Sequence, residues 1–134
     1  MIAVIRNDFM ALDYLARLGI LPNRHEAMGA IFVRENTIIG AAAIDEIRER
    51  HDALMHVAGS GWTRRTLRIF FGWYFGLGFK RATAEIASDN AASIRLAEGI
   101  GFVREGVRRC GDKSGGDLVS FGLLRNECRY FQEV

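Results

Sequence analysis

Gly59-Ser60-Gly61 separates an apolar run, Ala53 to Ala58, from a long amphipathic stretch that begins at Trp62. That order of residues is a physical recipe for holding an anion. The glycines let the backbone turn tightly and present bare N–H groups, and the dipole of the following helix favours negative charge at its start. A Gly-x-Gly pair also occurs in ordinary loops, so the turn alone does not decide for phosphate. Arg64-Arg65-Arg68 and Arg108-Arg109 are basic clusters that either meet phosphate or form a solvated face. Cys110 and Cys128 are too few for a disulfide framework and lack metal-ligand spacing. They read as reduced thiols, Cys128 within the core, and no metal is expected.

These groups must be positioned by a single core. The chain has 134 residues, enough for one domain and too few for two. Apolar residues make up 49% and charged residues 25%, ordinary values for a globular protein. A net charge of +2 is too small to argue for a nucleic-acid partner. No apolar run approaches the roughly 18 residues of a membrane span, and the N-terminus shows no signal-like segment. The expectation is a soluble, cytoplasmic protein without a membrane partner.

Periodicity divides the chain into short elements. Met1 to Arg6 reads as an edge strand. Asn7 reads as the N-cap of a helix to about Leu18, with Phe9, Leu12, Leu15 and Ala16 inward, and Gly19 and Pro22 end it. Ala30 to Arg34 and Thr37 to Ile44 read as a hairpin turning at Glu35-Asn36, and the small residues Gly40 to Ala43 imply close packing against a helix. Glu46 to Arg50 reads as a charged turn with some helical tendency, and Asp52 to Ala58 as a third strand. The helix after the glycines carries Leu67, Phe70, Phe71, Tyr74 and Leu77 as its apolar stripe, which makes its aromatics core rather than a base-stacking platform. Arg81 to Ala87 is strand-like. Asp89 or Asn90 caps a helix with Ser93, Leu96, Ala97 and Ile100 inward, ended by Gly101. Phe102 to Arg109 and Leu118 to Leu124 form a closing antiparallel pair around the flexible Gly111 to Gly116 connection, and Arg125 to Phe131 makes a terminal turn. The order implies an α+β fold: a mixed, mostly antiparallel sheet with a central parallel pair and helices on both faces.

Asn90-Ala-Ala-Ser93, Ile94-Arg-Leu-Ala-Glu98 and Gly101-Phe102-Val-Arg-Glu105-Gly106 resemble the signature that closes the cofactor-facing core of the GNAT N-acetyltransferase superfamily. The resemblance continues through Val107-Arg108-Arg109, Gly116-Asp117 and Leu124 to Tyr130, and covers residues 30 to 131. The subgroup resembled acetylates ribosomal-protein N-termini and various small amines. The resemblance implies one domain over residues 1 to 134, acetyl-coenzyme A as acyl donor, no metal, and a small amine or a protein as acceptor. By the same resemblance the pantetheine arm pairs with backbone near Met55 to Ala58, Val57 and Ala58 included. The pyrophosphate rests on the amides of Gly59, Ser60, Gly61, Trp62, Thr63, Arg64 and Arg65, while Asn90 and Ser93 face the cofactor's other side.

Several positions depart from the family pattern. The first position of the phosphate loop, usually Gln or Arg, falls on Ala58, and the last, usually Gly or Ala, on Thr63. Arg64 or Arg65 is the candidate replacement cation. The tyrosine that many relatives use as general acid falls on Ala97, leaving Ser93 as the hydroxyl to protonate the departing thiolate. On the strand where relatives place a glutamate the titratable residue is His56, a candidate general base. A structural hydrogen-bonding histidine is an equal reading there, and Glu85 and Glu105 are weaker candidates. Acceptor choice is expected from Trp62 and the loops at residues 19 to 29 and 111 to 116. Three functions remain open: an acetyl-coenzyme A-dependent N-acetyltransferase, an enzyme using another acyl-coenzyme A, and a catalytically inactive binding or assembly protein of the same fold. The exposed C-terminal strands leave a homodimer open as well.

Overall fold

The computed structural model describes residues 1–133. In it the strands β1 (Ile2–Arg6), β2 (Met28–Arg34), β3 (Thr37–Arg48), β4 (Asp52–Gly59), β5 (Arg81–Ala87), β6 (Val103–Arg108) and β7 (Leu118–Leu124) form a sheet of order β1-β2-β3-β4-β5-β7-β6. Three helices, α1 (Asp8–Arg17), α2 (Arg64–Gly76) and α3 (Ala91–Ile100), cover its faces. Every neighbouring strand pair is antiparallel except β4 with β5. The α+β expectation holds.

The local signals act as their chemistry dictates. Asn7 accepts from the Met10 amide at the start of α1, and Asn90 accepts from the Ser93 amide at the start of α3. Glu35 and Asn36 both take positive φ, the backbone that a two-residue hairpin with matching twist requires. Ala41 and Ala43 face α1, where Leu12 and Leu15 pack, while Ala42 and Ile44 face α2 on the opposite side. α2 buries Leu67, Phe70, Phe71, Tyr74 and Phe75. Each such aromatic contributes about 1.5–3 kcal/mol.

Three local expectations are corrected. Phe9 is 74% exposed; Ala11 takes the inward position and packs so closely on β2 that a β-carbon at Gly29 would lie 2.6 Å from its methyl. β3 does not end at Ile44 but continues to Arg48 through an irregularity between Asp45 and Arg48, with Glu46 at φ 46°. The charged composition of Glu46 to Arg50 hid that continuation. α2 begins at Arg64, with Thr63 as N-cap, so Trp62 belongs to the preceding loop.

The parallel pair positions everything that follows. β4 and β5 register through Leu54↔Thr83, near the start of both strands. That end is tied down. Thr83 Oγ1 lies 2.9 Å from both Asp52 carboxylate oxygens, and the His51 carbonyl accepts from the Lys80 and Arg81 amides at 2.9 and 3.0 Å. Arg81 completes the staple with Asp52 at 3.5 Å and Glu105 at 2.7 Å. Beyond Leu54 no further β4–β5 register is formed among the described residues, and the strands splay toward Gly59 and Ala87.

Candidate active site

The splay opens into a cavity of about 310 Å³. Met55, His56 and Val57 of β4 form one wall, Ala84 to Ala87 of β5 the other, and Phe70 and Phe71 of α2 with Ser93 and Ala97 of α3 close one side. Ile20, from the loop after α1, and Asp112, from the loop after β6, also border it. Strand alternation makes the two sides different. His56 pairs in register with Ala43 and so lies on the α1 face, whereas Met55 and Val57, opposite Ile44 and Ala42, lie on the α2–α3 face. A ligand in the cavity therefore meets His56 from one face of the sheet and Ser93 from the other.

His56 is held from behind. Its Nε2 lies 2.7 Å from Oδ1 of Asp45, which is 5% exposed. The other Asp45 oxygen accepts from the Asn23 amide at 2.7 Å. Glu26 of the same loop accepts from the Ile47 amide, so both ends of this polar turn are fastened to β3. Sequence reasoning missed Asp45 because it ended the strand one residue earlier. An aspartate closing the apolar run Ile38 to Ile44, with a histidine two strand positions from its register partner, was the available signal.

Trp62 packs edge-on against Phe32 at 4.5 Å and Phe70 at 5.6 Å and borders the cavity. Its Nε1 is buried and has no hydrogen-bond partner among the described residues. A buried indole N–H ordinarily finds an acceptor.

The glycine turn lies just past the cavity. Gly59 and Gly61 adopt φ of +79° and +110°, and a β-carbon at Gly61 would press on the Phe32 ring at 3.0 Å. Ser60 donates its amide to the Ile39 carbonyl at 2.9 Å, so that N–H is committed to the fold. Thr63 and Thr66 form a reciprocal capping box, which commits the Thr63 hydroxyl and the Thr63 and Thr66 amides as well. The arginines part company. Arg65 donates to the Ile2 carbonyl at 2.5 Å, whereas Arg64 borders a separate basic cleft with Arg68 and Arg129. Of the expected site residues, His56, Val57, Trp62, Asn90 and Ser93 border the central cavity; Ala58, Gly59, Ser60, Gly61, Thr63, Arg64 and Arg65 do not. Glu85 also borders it and is paired with Arg108 at 3.0 Å, while Glu105 belongs to the staple at the strands' closed end.

No protein-family model and no curated protein sequence matches the chain. Solved structures do. A variant of the spermidine N-acetyltransferase of Vibrio cholerae superposes with a TM-score of 0.77 at 15% identity, over 96% of this chain and 95% of that one. The fold is that of the GNAT acetyltransferases. An IAA acetyltransferase from Bacillus cereus gives 0.76 at 12% identity, over 92% of this chain and 99% of that one. An acetyltransferase of the GNAT family from Streptococcus pneumoniae gives 0.71 at 17% identity, with the same two coverages. No helix of the described residues is long and apolar enough to cross a membrane.

Proposed function

We propose that the protein is an N-acetyltransferase that moves an acetyl group from acetyl-coenzyme A to an amine. The observation that carries the reading is the cavity at the splayed end of β4 and β5, with His56 and Ser93 on its two sides. When bound, acetyl-coenzyme A supplies a thioester carbonyl activated toward attack. Val57 and its neighbours offer main-chain groups on the β5-facing edge of β4, where a carbonyl oxygen can be polarised. The acceptor attacks as the neutral amine, and His56 takes the proton that its nitrogen sheds as the new C–N bond forms, directly or through a water. Ser93 gives a proton to the sulfur as the C–S bond breaks. The residues fit such a ligand in two respects: the cavity has the size of a small-molecule site, and its lining between the splayed strands is mostly apolar with a few polar groups, among them His56, Asn90 and Ser93. Gly61 and the Arg64 side of α2, rather than the committed Ser60 amide, are the surfaces for the phosphates.

The acceptor is a small amine, a lysine or a protein N-terminus. The motif likeness to the ribosomal-protein N-terminal subgroup supports the last, and solved spermidine N-acetyltransferases of the same fold support the first. Glu85 and Asp112 at the cavity favour a cationic amine in either case. An assay for free thiol over a panel of polyamines, lysine derivatives and peptides tests the proposal. Acceptor-dependent thiol release supports it, and none with any amine contradicts it. A second reading, a binding protein that has kept the fold without the chemistry, draws on Ala58 and Ala97, which supply neither a cation nor a hydroxyl. It expects no thiol release at all.

A further inference from the structure

Resting on that reading, we infer that Asp45 is a positioning residue: it fixes the tautomer of His56 so that Nδ1 is the basic nitrogen. An ionised carboxylate only accepts hydrogen bonds. Asp45 Oδ1 lies 2.7 Å from His56 Nε2, so in the neutral imidazole the proton resides on Nε2 and the lone pair on Nδ1. Among the described residues Nδ1 has no partner, and His56 borders the cavity. Asp45 cannot turn to present anything else, because its second oxygen accepts from the Asn23 amide at 2.7 Å and the side chain is 5% exposed. The remaining titratable side chains bordering the cavity are Glu85, paired with Arg108, and Asp112. In the proposed transfer the amine's proton passes to Nδ1 as the C–N bond forms, and the resulting imidazolium keeps its Nε2–H on Asp45.

The same geometry makes Asp45→Asn a directed test. The Asn23 N–H demands an oxygen, so the new carboxamide turns its oxygen there and its NH₂ toward His56 Nε2. Nε2 must then accept, and the neutral ring carries its proton on Nδ1, where it no longer serves as a base. Nitrogen-15 NMR of the ligand-free protein reads this without any reaction. The expected result is Nε2–H in the wild type and Nδ1–H in Asp45→Asn. Turnover should fall at least about 100-fold, the lower range for a positioned base, with unchanged affinity for acetyl-coenzyme A and no recovery at higher pH. A wild-type ring protonated on Nδ1 overturns the inference without recourse to any variant. So does an Asp45→Asn protein that flips the tautomer yet turns over normally, or one that loses turnover with the tautomer unmoved. A wild type that acetylates no amine overturns the underlying reading instead, and the NMR result separates that failure from a failure of Asp45.

Discussion

Trp62 and Ser93 touch the cavity from different elements. Trp62→Phe keeps an aromatic ring between Phe32 and Phe70 and removes the unpartnered N–H. If that N–H is satisfied by the bound acyl donor, affinity should drop about 5- to 10-fold, the equivalent of roughly 1 kcal/mol for one hydrogen bond. Calorimetry on a variant with an intact thermal transition checks this, and unchanged affinity assigns the indole to packing alone. Ser93→Ala should lower turnover by about 100-fold or less, because a serine hydroxyl is a weak acid, while leaving affinity for the donor nearly unchanged. Steady-state kinetics beside a binding isotherm decides it. A loss of stability with unaltered kcat would return Ser93 to a merely structural role.

At the scale of elements, the fold depends on β4 and β5 being joined at one end so that they open at the other. Thr83→Val removes the hydroxyl that Asp52 faces, in a side chain of the same shape. Urea unfolding should lose about 1–3 kcal/mol, because a half-buried carboxylate is left with Arg81 alone. A loss below a few tenths of a kcal/mol contradicts the staple. Elements of this kind were readable in the chain to different depths. The α2 stripe, the Glu35-Asn36 turn and the Asn7 and Asn90 caps follow from spacing and backbone chemistry that operate within a few residues. Gly40 to Ala43 announced close packing correctly, since Ala41 to Ala43 are fully buried. The bent end of β3 was not readable. Its apolar alternation stops at Ile44, and Asp45 earns its buried place only through partners 11 and 22 residues away in sequence. Helical periodicity marked Phe9 as inward, but it could not show that Ala11 is the residue laid against Gly29. The cavity draws Ile20 and Asp112 from the two loops named for acceptor choice, but composition did not single out these residues within them.

For the whole molecule, two buried acids set the response to alkali. Burial pushes the Tyr74 hydroxyl well above its ordinary value, with the nearby Asp52 charge adding to the effect, and the hydroxyl donates to the Arg81 carbonyl. Burial likewise raises the Cys128 thiol. Both groups keep their protons in the folded state at a pH where the unfolded chain has begun to lose them. Their contribution is therefore fully present below the unfolded values, about 8.5 for cysteine and 10 for tyrosine, and is lost as pH rises beyond them. Stability measured by urea unfolding should decline from about pH 9 upward, and a flat profile to pH 11 contradicts that. At the other extreme Asp8 is held below the usual carboxylate range, chiefly by its hydrogen bond from Arg6, so its contribution fades in acid as pH falls below about 4. In the proposed function this sheet, opened between β4 and β5, receives an acyl-coenzyme A. Calorimetric titration of the wild-type protein with acetyl-coenzyme A tests it most directly. Binding at micromolar concentrations or tighter, near −8 kcal/mol, is the expected result. The absence of binding up to about 1 mM, where the free energy is only about −4 kcal/mol, contradicts the account.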